Sequence, residues 1–109
     1  MLDINGSTIK LTRGDSMKVL VTPYNQDGTE YVAQQGDTIR FALKRNYSDQ
    51  TPLVEKNVPT NSYLLTLVPS DTKELPFGSY VYDVELTKSN GDVDTYIAEA
   101  TFIIAREVD

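Results

Sequence analysis

Carboxylates are the only side chains here whose spacing could assemble acid–base chemistry. Asp83 and Glu85 sit two residues apart in an alternating stretch, so they project from one face of a strand, and Asp92 and Asp94 follow across a turn. A pair of carboxyl groups flanking a bond is the apparatus of glycoside hydrolysis. Nothing around these four implies a cleft above them, and the plainer reading is a solvated acidic sheet face. The chain has no histidine and no cysteine. That removes the usual general base near neutral pH, the usual zinc ligands, thiol nucleophiles and the Ser-His-Asp triad. Lys18, Lys44, Lys56, Lys73 and Lys88 all lie in polar contexts, so a Ser-Lys pair lacks the desolvated lysine it needs. Asn25-Gln26-Asp27-Gly28 offers oxygen atoms but not the ligand spacing of a calcium loop. The expectation is a chain with no catalytic, cofactor-binding or metal-ligating set: not an enzyme, and without a cofactor.

Three other features invite a functional reading. Arg13-Gly14-Asp15 spells the tripeptide read by integrins. A tight connection between strands explains it equally well, with Gly14 taking a conformation other residues avoid and Asp15 bonding to nearby backbone. The glycines are isolated, so no phosphate-cradling loop is present. Of the seven tyrosines, Tyr80 and Tyr82 read as core. Tyr24, Tyr31, Tyr47, Tyr63 and Tyr96 read as freer, available for sheet packing, subunit contact or stacking on sugars.

The elements that must carry these residues follow from composition and pattern. A chain of 109 residues fits one domain, taken as 1–109, with enough bulk for a real core. The net charge is -6, from 10 basic and 16 acidic residues, which disfavours nucleic acid and anionic membrane surfaces. There is no disulfide framework, no signal-like segment at the start and no apolar run long enough to span a bilayer, so no membrane insertion is expected.

Short runs rich in Val, Ile, Thr and Tyr, punctuated by Gly, Asn, Asp and Pro, predict strands. They are expected at residues 8–12, 17–24, 29–33, 38–44, 53–58, 63–68, from Tyr80 to Leu86, and 93–105. In 38–44, Ile39, Phe41 and Leu43 face one way. The segment 53–58 reads as an edge strand, and 69–75 as one helical turn ended by Pro76. Asn90-Gly91 predicts a two-residue type I′ hairpin loop, pairing Leu86 with Thr95 and Val84 with Ile97. An unbroken register would then bury Glu99 and expose Phe102. A β-bulge between Ala98 and Thr101 is therefore expected, turning Ala100, Phe102 and Ile104 inward. The whole predicts an all-β, immunoglobulin-like antiparallel sandwich of about seven or eight strands, with a small open Greek-key barrel as the alternative. Gly78 two residues before Tyr80 fits a tyrosine corner, in which the hydroxyl ties back to upstream backbone.

Several phrases together carry a family resemblance. They are Ile9 to Ser16, Asp27 to Tyr31, Gly36 to Phe41, Pro69 to Thr72, Leu75 with Gly78, Tyr80, Tyr82 and Asp83, and Thr95 to Ile97 with Phe102. In order and spacing the run, about residues 8–108, resembles small immunoglobulin-like domains of phage and prophage tails, including the N-terminal domain of baseplate upper proteins. The resemblance implies a virion component made in the bacterial cytoplasm. It also implies no enzyme activity, and contacts with other tail or baseplate proteins or with itself as an oligomer. The family's members often carry this unit as the first domain of a longer protein. From the residues, the candidate interface is the edge formed by Leu53, Val54, Glu55, Lys56 and Val58, whose Glu55 and Lys56 discourage stray pairing. The alternative function is an adhesion or carbohydrate-binding module of a cell-surface protein.

Overall fold

Alternation of apolar and polar side chains requires one sheet face to be covered, and the chain meets that demand with two stacked sheets. The computed structural model describes residues 2–106. Its elements are β1 (Leu2–Asn5), β2 (Thr8–Thr12), β3 (Met17–Leu20), β4 (Thr38–Lys44), β5 (Val54–Val58), β6 (Leu64–Leu67), α1 (Pro69–Thr72), β7 (Gly78–Thr87) and β8 (Val93–Ala105). One sheet has six strands in the order β1-β2-β8-β7-β4-β5, and the other has two, β3 and β6. The domain is an all-β sandwich, and the sheet is not closed into a barrel.

The inward residues are those the alternation selects. Ile39, Phe41 and Leu43 of β4, Tyr80, Tyr82, Val84 and Leu86 of β7, and Ala100, Phe102 and Ile104 of β8 are all buried. Phe41, Tyr82 and Phe102 form a three-ring cluster with centroids 5.6, 6.5 and 6.1 Å apart. Such tilted and edge-on contacts suit the ring quadrupoles. The Tyr82 hydroxyl donates to the Ser7 carbonyl at the β1–β2 turn, and burial pushes it up to about 12.

Four expectations need correction. An additional strand, β1, precedes the first expected one and forms a hairpin with β2 over Gly6-Ser7. The sandwich is not wholly antiparallel, because β2 runs parallel to β8, with Ile9 beside Phe102. The runs 17–24 and 29–33 do not form two full strands. Strand β3 stops at Leu20, and only an isolated Tyr24–Glu30 bridge remains beyond it. Pro23 has no N–H to give a ladder, and the Asp27 carboxylate captures the Thr29 N–H and hydroxyl at 3.0 and 2.6 Å, winding the chain into a turn instead.

The fourth correction concerns the last hairpin. Gly91 N–H donates to Lys88 O and Lys88 N–H to Asp92 O, which makes a three-residue loop. Only Gly91 takes a positive φ, at 96°. Asn90 accepts the Asp92 N–H on its own side chain at 2.9 Å, an Asx arrangement that keeps it out of the left-handed region a type I′ turn would demand. Leu86 therefore pairs with Asp94 rather than Thr95. An extra residue at Tyr96 restores the expected Val84–Ile97 pair. The expected bulge is present: Asp83 stands against Ala98 and Glu99, Glu99 adopts φ 53°, and Ala100 falls opposite Tyr82.

The corner before β7 also forms. The Tyr80 hydroxyl donates to Pro76 O at 2.5 Å, while the Arg45 guanidinium lies 4.6 Å from the Tyr80 ring centre. Tyr80→Phe keeps the ring and removes that bond. It should lower stability by about 1 kcal/mol in urea unfolding with an unchanged m-value.

Candidate functional site

Among the described residues strand β5 hydrogen-bonds only to β4, so half of its backbone N–H and C=O groups face away from the sheet. The five candidate residues divide by direction. Val54 and Val58 are buried in the core, and Leu53 is 48% exposed beside the edge. Lys56 points to the same side as the two valines, and its ammonium meets the Asp71 carboxylate at 3.0 Å. Asp71 is itself positioned by α1, where its other oxygen accepts the Val68 N–H at 2.8 Å. Glu55 points outward and pairs with Arg40 at 3.0 Å. The side chains thus hold the edge in shape, and the surface left for a partner is the β5 backbone and Leu53.

Among the described residues open flanks also lie on β1, at the other end of the six-strand order, on β3 and β6, and on the first half of β8, which β2 pairs only from Phe102 onward. The two irregularities of β8 and the left-handed Glu99 twist that last flank, a device that hinders strand addition. The β4–β5 ladder is regular from Ile39–Val58 to Leu43–Val54.

The carboxylates on the outer sheet face are arranged around an arginine. Arg40 stands opposite Glu85, next to the Ala42–Asp83 pair, and feels Glu55, Glu85 and Asp83 together, which raises its pKa. Among the described residues no group of three or more acids is arranged to hold a metal ion. Nor does any helix of the described residues have the length and apolarity to cross a membrane. The Arg13-Gly14-Asp15 tripeptide is half-buried rather than displayed. Gly14 N–H donates to Thr72 Oγ1 at 2.9 Å, and the Arg13 guanidinium stacks 4.1 Å from the Phe77 ring centre.

Sequence reasoning missed a second constellation, at the end of the sandwich. The segment 21–37 carries no strand yet is tied down by tyrosines expected to be freer. The Tyr63 hydroxyl donates to Tyr31 O at 2.9 Å and accepts the Ala33 N–H at 2.9 Å. The Tyr96 hydroxyl donates to Val21 O at 2.6 Å, and burial raises its pKa. The Tyr31 hydroxyl donates to Asp37 Oδ2 at 2.6 Å. Asp37 also accepts the Gln34 N–H at 2.8 Å and, from the β7–β8 hairpin, the Ser89 N–H at 3.0 Å. Tyr24 and Tyr47 alone among the five are strongly exposed. Each hydroxyl partner lies 32 or 75 residues away or across a turn, so no local pattern reveals it.

Between segment 23–31 and the hairpin lies a cleft of about 500 Å³, walled by Tyr24, Tyr31 and Leu86 and edged by Asn25, Gln26, Lys88, Asp92 and Asp94. No family model matches this chain, and no curated protein is significantly similar to it in sequence.

Two outcomes test the clamp that shapes this end. The Tyr31 hydroxyl, followed by the Gln34 N–H, holds Asp37 below the usual carboxylate range. Its stabilising effect is therefore full above the unfolded-state value of about 3.9 and lost as pH falls through the lower folded value. Asp37→Asn should flatten that part of the acid-unfolding curve followed by circular dichroism. Gly36, at φ 92°, leaves room for Ser89, whose Cβ would lie 2.9 Å from an added Cβ. Gly36→Ala should cost about 2 kcal/mol in thermal unfolding.

Proposed function

We propose that this chain is a non-enzymatic assembly domain that joins a partner protein through its β5 edge, and that it serves as a bacteriophage or prophage tail or baseplate component. The observation that carries the assembly reading is a regular edge strand with one side unpaired and Leu53 exposed beside it. An incoming strand gains main-chain hydrogen bonds there, and Leu53 adds apolar contact. The tail setting rests on the resemblance carried by the motifs from Ile9 to Phe102.

Charge disfavours two of the registers in which a second copy could pair along β5. An antiparallel two-fold centred on Lys56 sets two ammonium groups face to face, and one centred on Glu55 sets two carboxylates face to face. Like charges directly opposite are destabilising. Mixed charge on a partner strand removes the conflict.

The test is co-expression with the products of neighbouring genes, followed by size-exclusion chromatography. The gene should lie among tail or baseplate genes, and one neighbour's product should co-elute with the domain. Leu53→Asp should weaken that complex about tenfold with an unchanged melting temperature. A gene far from any tail genes, or a complex indifferent to Leu53→Asp, overturns the corresponding half of the proposal.

A further inference from the structure

We infer that the cleft between segment 23–31 and the β7–β8 hairpin binds a neutral, polyhydroxylated ligand of the saccharide class. This inference is independent of the β5 edge. It begins with the seventeen residues between Leu20 and Thr38, the longest connection without a strand among the described residues. Unstructured connections of that length are uncommon and usually functional. Here the connection is rigid. Tyr63 adopts φ 57°, a strained conformation for a bulky residue, while its hydroxyl holds Tyr31 O and Ala33 N–H. The tip is shaped by its own bonds, Asn25 N–H to Thr29 O at 2.8 Å and Gly28 N–H to Asn25 O at 3.0 Å. Asp37 then locks the connection to Ser89 of the hairpin. Both walls of the cleft are thus in place before any ligand arrives, which lowers the entropy cost of binding.

The lining supplies the chemistry. Tyr24, a residue 57% exposed, stands at the cleft wall, its ring suited to the C–H face of a sugar. Asp94 pairs with the core-facing Leu86, so its carboxylate lies on the sheet's inner side, where the pattern calls for an apolar residue. It has no hydrogen-bond partner among the described residues. Carboxylates accept hydroxyl protons, and the Gln26 amide both donates and accepts, which together match groups that do both. A cationic ligand fits less well, because the Lys88 ammonium already stands in the lining, 5.1 Å from the Tyr31 ring centre, and repels a second cation.

The decisive experiment is a two-dimensional NMR titration of the 15N-labelled chain with maltotriose, cellotriose and chitotriose, with trilysine as the cationic comparison. At least one saccharide should give saturable shifts at the amides of Tyr24, Gln26 and Asp94. Tyr24→Ala and Asp94→Asn should each weaken that binding about tenfold. Tyr24→Phe should retain it, and all three variants should keep the parent melting temperature, since both positions are exposed. The inference is overturned if no saccharide gives saturable shifts, if trilysine alone moves these amides, or if saccharide binding survives both Tyr24→Ala and Asp94→Asn.

Discussion

Six strands must be covered by two. The inner face of the β1-β2-β8-β7-β4-β5 sheet carries the three-ring cluster and most of the buried side chains, whereas the facing sheet is only β3 and β6. Apolar surface left open to water costs about 25 cal/mol per Å², so the rest of that face needs another cover. Connections provide it. Val21 is buried, Tyr31 and Tyr63 pack on the core from one end, and Leu75 and Phe77 pack on it from the region between α1 and β7.

Loops used as cover have backbone groups that lack ladder partners, and buried polar groups must be satisfied. Tyrosine hydroxyls meet that need here. Tyr63, Tyr96, Tyr80 and Tyr82 each reach a main-chain carbonyl, and no described buried side-chain polar atom lacks a partner. One residue type therefore fills core volume with its ring and fastens a connection with its oxygen. Asp37 extends the same logic, joining the long connection to the last hairpin through three acceptor contacts. The cleft lies where this cover ends, so its rigidity is a by-product of closing the sandwich.

The two candidate contact regions differ in kind. The β5 edge offers backbone, with its charges committed to Arg40 and Asp71. The cleft offers side chains held by a fixed frame. The acidic outer face, which first drew attention as paired carboxylates, is organised around Arg40.

Period-two alternation by itself determined the strands 8–12 and 38–44, the near-complete β5 and β6, the edge position of 53–58 and the bulge before Ala100. A one-residue slip there would expose Phe102, and that cost is readable from residue types alone. The tyrosine corner was legible for the same reason, since its partner lies four residues away. The tertiary structure alone decided what depended on distant partners. Asn90 stayed out of the left-handed region because Asp92 captured its side chain, which moved Asp94 opposite Leu86 and into the cleft. Tyr31, Tyr63 and Tyr96 became fasteners because the narrow second sheet left loops to cover the core. The parallel β2–β8 pairing sets Ile9 beside Phe102, partners far apart in the chain that no local pattern links. Local periodicity reports which face of a strand is apolar. It carries no record of which remote carbonyl a hydroxyl will find, and the cleft is built from such pairings.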